Sequence, residues 1–311
     1  MNIKTKFSKY DFIKILSNYN IGEYIGSKHF SHGYVQTTVM LLTTKGKFVF
    51  RYYENRSEKH VLSEVKLMSY IRKKKFPVPK VIRNSSGEFI EKYKGKAFMI
   101  VEYVHGKLMK NPNNISRHNG LTEVVNTVAK LHNMTKNFNQ KYFKYRDIYN
   151  KKYCWDEYRK RSGNVRNASR EKWLKNELNK LEFPNLLPKG ICHCDLNYSN
   201  FLFKKGKVFC VLDFDMSCYT YLIYDIASLI YWWAFPPKKI MNIENSKHLV
   251  DEYCKRRKLS KAEKMHIFDA LKLIILLGIS WSEENDFEQE KRKIEYLNSI
   301  SRERFYKMLF C

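Results

Sequence analysis

HCDLNYSNFLFKKGKVFCVLDFD, His193 to Asp215, concentrates three aspartates, two asparagines, a histidine and two cysteines, with Cys192 just before it and Cys218 just after. Two chemistries use such a set: a Cys/His metal knot, or a carboxylate centre that handles phosphate. The first needs Cys192, Cys194, Cys210 and Cys218 around one zinc ion. No CxxC pair occurs among them, although tetrahedral sites usually present close pairs. Free, buried or half-buried thiols are the expectation instead.

The second chemistry follows from a hairpin. Phe201 to Phe203 and Val208 to Leu212 are apolar strands, and Gly206-Lys207 suits a two-residue turn with glycine first. In that register Phe203 faces Cys210, and Asn200 faces Asp213 at the open end. Directly opposed Cβ atoms lie about 5 Å apart, a span that one hard cation bridges. Mg²⁺, held by few protein oxygens with phosphate and water completing its shell, fits Asn200 plus Asp213. Asp195, on the loop entering the hairpin, is then available to orient a substrate hydroxyl and accept its proton. His193 is expected to brace the loop rather than to react.

Composition bounds the alternatives. The chain has 311 residues, 44% hydrophobic and 15% aromatic, which excludes a disordered or fibrous class. The formal net charge is +27, from 58 Lys and Arg against 31 Asp and Glu. The basic residues are spread along the chain, densest at Arg72–Lys75, Lys144–Lys152, Tyr158–Arg161 and Lys255–Lys258. No zinc finger, RNA-recognition motif or basic tail accompanies them, so a solvated surface is expected rather than a nucleic-acid partner. Seven cysteines, no secretory signal, and a longest apolar stretch of Leu273 to Ile279 point to a reduced cytoplasmic protein with no membrane partner. Nothing in the sequence sets an oligomeric state.

The first hundred residues read mainly as strands: Tyr34–Thr44, a turn at Lys45-Gly46, Lys47–Tyr53, and Ala97–Val104. Ser57–Lys75 reads as a helix capped by Ser57 and stopped at the prolines of FPVP. After residue 105 helices dominate: Asn119–Thr135, one or two within Lys141–Leu181 with a loop at Ser162-Gly163-Asn164, then Ile223–Trp233, Ser246–Arg257, Ala262–Ser280 and a tail over Glu288–Leu309. Strands followed by helices predict an α+β chain of two lobes, 1–104 and 105–311.

His-x-Asp-x-x-x-x-Asn, a short hairpin and then Asp-Phe is the order of the protein-kinase catalytic and metal loops. HCDLNYSN with VLDFD resembles the motif of the aminoglycoside phosphotransferase and choline kinase superfamily, which has a protein-kinase-like fold. YLIYDIASLI resembles that superfamily's second Asp-containing segment, in which Asp225 is expected to hold a loop or cap a helix. GKAFMIVEYVHGKLM, VAKLH and LPKGICHCDLNYSNFLF most resemble phosphotransferase-type homoserine kinases. The resemblance implies an antiparallel-sheet N-lobe that binds ATP and a mainly helical C-lobe for catalysis and substrate. It implies a phosphate clamp at Arg51 supported by Glu64, an adenine-binding hinge at Glu102, Tyr103 and Val104, and a phosphate loop at Ser31, His32 and Gly33. Two departures stand out. The strand cation is Arg51 rather than lysine, and its planar fork is no like-for-like replacement. The loop Ser27 to Gly33 is poor in glycine. Asp215 replaces the glycine of the protein-kinase Asp-Phe-Gly.

The expected activity is transfer of the ATP γ-phosphate, with Mg²⁺, to a small hydroxyl-bearing substrate such as homoserine or a related amino alcohol. Aminoglycosides are a second candidate, although polycations need an acidic pocket. Choline or ethanolamine is a third, favoured if Tyr231, Trp232, Trp233 and Phe235 form an aromatic cage rather than core. A pseudokinase-like or RNA-associated binding module is the non-enzymatic alternative. Tyr19, Tyr34 and Tyr153–Arg161 are candidate acceptor-reading positions.

Overall fold

The computed structural model describes residues 5–30, 36–109, 119–162, 167–235, 240–281 and 284–311. The chain is α+β and divides into two compact units. The first comprises 1–107 with 138–145 and 210–215; the second comprises 108–137, 146–209 and 216–311.

In the first unit the strands are β1 (Tyr24–His29), β2 (Thr37–Thr43), β3 (Gly46–Tyr52), β4 (Val81–Ile82), β5 (Glu91–Tyr93) and β6 (Lys96–Glu102). They form an antiparallel sheet of order β1-β2-β3-β6-β4, with β5 also paired to β6. The β2–β3 turn sits one residue earlier than expected, because Thr43 and Gly46 are already partners. Side chains alternate across a strand. Phe50 and Tyr52 of β3 therefore join Val39, Leu41, Phe98 and Ile100 in an apolar core, and Arg51 between them points to the other face.

That core is capped by α1 (Lys9–Leu16), which contributes Phe12, Ile15 and Leu16. The helix was not anticipated, although Ser8 and Asp11 make a reciprocal capping box at its start. Helix α2 (Glu58–Lys73) opens on Ser57, whose hydroxyl accepts the His60 N–H as expected. It ends as Lys75 takes a left-handed conformation before Phe76-Pro77.

The short β7 (Lys107–Leu108) falls at the division between the units. The second unit is mainly helical: α3 (Asn119–Met134), α4 (Lys151–Ser162), α5 (Ala168–Asn179), α6 (Ile223–Ala234), α7 (Ile243–Arg256), α8 (Lys261–Trp281), α9 (Glu284–Asn298) and α10 (Arg302–Phe310). Helix α8 is apolar nearly all round and buried, with α4, α6, α9 and α10 packed around it. The tail is two helices rather than one, because Ser301 caps a fresh helix after Asn298.

Strand β8 (Lys189–Cys192) pairs antiparallel with β11 (Cys218–Tyr221), Cys192 opposite Cys218. Between them run β9 (Phe201–Lys204) and β10 (Lys207–Val211). Their turn is Lys205-Gly206, both residues at positive φ (50° and 76°), which is the primed turn with a non-glycine first. The expected turn at Gly206-Lys207 is therefore corrected. Lys204 and Lys207 flank the turn, so each residue pairs two positions earlier than expected. The register that set Asn200 opposite Asp213 does not hold, and β10 ends at Val211.

Candidate active site

The first unit gathers Arg51, Glu64 and Asp213. Arg51 Nη1 donates to Glu64 Oε1 at 3.2 Å, and Nη2 donates to Asp213 Oδ1 at 2.6 Å. Glu64 lies on the buried stripe of α2 among Val61, Val65 and Met68, where a carboxylate needs partners. Its second oxygen accepts the Tyr53 hydroxyl at 2.9 Å. The Tyr53 ring also stands 5.6 Å from the Arg51 guanidinium carbon. Burial opposes the Arg51 charge, but Asp213, Tyr53, Glu64 and Asp215 outweigh it and hold its pKa well above the ordinary value. Burial, reinforced by Glu64, likewise pushes the Tyr53 phenol up, so it stays a donor. Tyr53 carried no sequence signal. Glu64 did, as an acid on an apolar helical stripe.

Asp213 follows β10 in a left-handed conformation, φ 60°. Its Oδ1 receives Arg51 and, at 3.4 Å, the backbone N–H of Asp215. Its side chain is 45% exposed, and among the described residues Oδ2 has no partner. Phe214 is fully buried near Phe76. Asp215 is buried against Arg56, His60 and Gln36. Burial raises its pKa, but His60 and Arg56 prevail and hold it far below the ordinary carboxylate range.

The hinge residues close β6. Glu102 N–H donates to Lys80 O at 2.9 Å and Tyr103 N–H to Lys47 O at 3.3 Å. The Glu102 carboxylate receives Arg72 Nη1 at 2.9 Å and the Lys80 N–H at 2.8 Å. Ser31, His32, Gly33 and Tyr34 lie outside the described residues. Tyr19 belongs to the apolar core, so it is corrected from a substrate-reading candidate to a packing residue.

The second unit carries Asp195 and Asn200. The Asp195 carboxylate is held on both oxygens: Asn197 Nδ2 donates to Oδ1 at 2.7 Å and Asn200 Nδ2 to Oδ2 at 2.8 Å. Asn200 Nδ2 also reaches the Asp195 backbone oxygen at 2.9 Å. With its nitrogen so engaged, Asn200 has its amide oxygen left as a ligand. Asn197 was missed; its place two residues after Asp195 is the signal, since Asn side chains bond locally.

Below that loop lies a buried polar knot. Asp225, on α6, accepts the His193 N–H at 2.8 Å on Oδ2 and the Cys194 N–H at 2.9 Å on Oδ1. It thus holds a loop, as expected. His132 Nε2 sits 3.0 Å from Asp225 Oδ2 and its Nδ1 2.6 Å from the Tyr253 hydroxyl. Burial opposes the His132 charge, but Tyr253, Asp225 and Cys192 outweigh it and hold its pKa well above the ordinary value. Trp233 Nε1 donates to Leu196 O at 2.8 Å, and His193 Nδ1 accepts the Asp195 N–H at 3.3 Å, a bracing role. Cys194 itself is left-handed, φ 67°. Its thiol lies 3.4 Å from that of Cys218. His132, Cys192 and Asp225 come close enough to suit a metal, but His132 is engaged by Asp225 and Tyr253, and Asp225 also takes the two loop N–H groups.

The aromatic segment of α6 packs rather than forming an open cage. Trp233 and Phe235 are buried. Lys293 Nζ stands 4.2 Å from the Tyr231 centroid and 5.5 Å from that of Phe235, paired with Glu290 at 2.8 Å. The chain's own ammonium occupies those two rings.

The half-exposed Asp213 carboxylate of the first unit and the Asn200 amide oxygen of the second are each hard oxygen donors, the kind that divalent cations such as Mg²⁺ take.

Relatives agree with this chemistry. A homoserine kinase of Bradyrhizobium diazoefficiens is 27% identical over 267 residues, 85% of this chain and 80% of that protein. The fold is similar to amicoumacin kinase hAmiN in complex with AMP-PNP, Ca²⁺ and Ami (TM-score 0.69, 18% identity, 94% of this chain and 95% of that one). It is equally similar to the microcompartment-associated aminopropanol kinase (TM-score 0.68, 16% identity, 94% of each). The model of the phosphotransferase enzyme family matches residues 27–247. With the ordered kinase loops and the protein-kinase-like α+β fold, that match establishes that the chain belongs to the phosphotransferase enzyme family, as an enzyme that transfers phosphate to a small-molecule hydroxyl.

Proposed function

We propose that this phosphotransferase is a cytoplasmic, ATP- and Mg²⁺-dependent kinase whose acceptor is homoserine or a closely related amino alcohol. Asp195 is the base: it orients the acceptor hydroxyl and takes its proton as the oxygen bonds to the γ-phosphorus, while the bond from that phosphorus to the β,γ-bridging oxygen breaks and ADP leaves with the electron pair. Asn200 and Asp213 hold the divalent cation, which when bound neutralises phosphate charge. Arg51, supported by Glu64, clamps the phosphates. The nucleotide belongs to residues 1–104 and the acceptor to 105–311. Glu102, Tyr103 and Val104 take the adenine. Because the N–H groups of Glu102 and Tyr103 are already used, Val104 is assigned the donor role. Ser31, His32 and Gly33 are assigned to the phosphates.

The observation that carries the reading is the Asp195 carboxylate, gripped on both oxygens by Asn197 and Asn200. A base must be held in place before it can work, and two amide donors fix this carboxylate. The acceptor choice rests on the likeness to homoserine kinases and on charge. A chain at +27 is poorly suited to polycationic antibiotics. Lys293 between Tyr231 and Phe235 disfavours a quaternary ammonium at those rings.

The test is ADP release with L-homoserine, choline, ethanolamine, hydroxylysine and aminoglycosides, run beside Asp195→Asn. Homoserine-dependent ADP that disappears in Asp195→Asn is expected. Turnover with an aminoglycoside alone would overturn the acceptor assignment.

A further inference from the structure

Asp215 has no task in the phosphoryl-transfer scheme, yet it is among the most heavily bonded side chains of the first unit. Arg56 Nε lies 3.1 Å from each of its oxygens and Nη2 lies 2.9 Å from Oδ2. His60 Nε2 is 3.0 Å from the Asp215 backbone oxygen and 3.1 Å from Oδ1. Gln36 Nε2 approaches Oδ2 at 3.5 Å, while Gln36 Oε1 accepts the Glu54 N–H at 2.7 Å. Arg56 and His60 flank the start of α2, the helix that carries Glu64. Gln36 leads into β2.

Asp213 is a non-glycine residue in left-handed backbone, φ 60°. Asp visits that region more readily than most side chains, but a single fixed conformation there needs surroundings that hold it. The surroundings are the buried Phe214 and the clamped Asp215, whose own N–H reaches back to Asp213 Oδ1 at 3.4 Å. Groups that hold a metal-binding carboxylate from behind set how well it binds.

We propose that Asp215, latched by Arg56 and His60, is a positioning residue that holds Asp213 in its cation-binding orientation, so that the affinity for Mg²⁺ depends on a pair that never touches the metal. This rests on the reading of Asp213 as a metal ligand. An Asp at the glycine position of Asp-Phe-Gly thereby couples the metal loop to α2, and Glu64 and Asp213 are tied twice: through Arg51 and through the Asp215 latch.

The experiment is calorimetric titration of ADP into the full chain, in EDTA and at increasing Mg²⁺, for wild type, Asp215→Asn and Arg56→Gln, with melting temperatures alongside. Arg56→Gln tests the latch from outside the metal loop, should Asp215→Asn fold poorly. Expected is at least about a tenfold rise in the Mg²⁺ needed for half-maximal effect in either variant, with ADP affinity in EDTA unchanged. A wild-type Mg²⁺ midpoint in a folded variant overturns the proposal. So does a loss of EDTA affinity as large as the loss of Mg²⁺ response, since general loosening would do that. Wild type that binds no ADP at any Mg²⁺ concentration instead overturns the kinase reading, and the latch with it.

Discussion

Arg51 and Asp213, 162 positions apart in the chain, meet at 2.6 Å through Nη2 and Oδ1. The same guanidinium gives Nη1 to Glu64. One planar cation therefore serves two carboxylates with two separate nitrogens. A lysine ammonium is a single point on a flexible stem and does not reproduce that fork.

Arg51→Lys is accordingly expected to lower kcat/KM for ATP by about 10- to 100-fold, the worth of one charged hydrogen bond of about 1.5–3 kcal/mol. Arg51→Met leaves Glu64 buried without its cation, and a cost of about 3–5 kcal/mol is expected in urea denaturation. Wild-type stability in Arg51→Met would show that Glu64 is content without it.

Tyr53→Phe removes only the hydroxyl that holds Glu64 Oε2. A loss of about 1–2 kcal/mol in unfolding free energy is expected, together with a rise in KM for ATP larger than the fall in kcat. Steady-state kinetics at saturating acceptor reads both; an unchanged KM would count against the support role.

Asp195→Asn keeps the shape of the side chain but removes the carboxylate proposed as the base. Turnover is expected to fall by about 10²- to 10⁴-fold while ADP binding, read by calorimetry, stays as in wild type. Undiminished ADP release would remove Asp195 from the mechanism.

Asp225→Ala strands the N–H groups of His193 and Cys194 and the His132 ring at once. A destabilisation of about 3–5 kcal/mol is expected, seen as a lower melting temperature. Asp225→Asn, which still accepts one N–H, should fall between that variant and wild type.

The His132 pKa is raised in the folded chain: burial works against its charge, and Tyr253, Asp225 and Cys192 more than compensate. A group raised on folding adds stability that is full below the unfolded value of about 6.5 and is lost as pH climbs through the folded one. Wild type should therefore lose more stability than His132→Gln as the pH is raised step by step from about 6.5. Parallel denaturation curves for the two proteins across that range would contradict a charged His132.

Much of the site was legible because it is local. Asp195 and Asn200 sit within one loop, five residues apart, and meet there through an amide–carboxylate bond; Asn197, in the same loop, was missed. Helix α2 was legible from its cap and apolar stripe, and Arg51 only from the resemblance of its strand to the one that carries the kinase lysine. The hairpin was legible as a hairpin but not in register, since a primed turn accepts a non-glycine such as Lys205 at its first corner. Helix α1 was missed because eight residues give too short a periodic signal, although its Ser8–Asp11 box was present.

The sequence by itself determined the order of chemical groups, His-x-Asp-x-x-x-x-Asn and then Asp-Phe-Asp, and with it the family. Only the tertiary structure decided which distant charges meet. Arg51 with Asp213, Arg56 and His60 with Asp215, and His132 with Asp225 each join segments more than 90 positions apart. No local rule selects such partners. A buried charge takes whichever opposite charge the packed backbone delivers, and that is known only once strands and helices have closed around it.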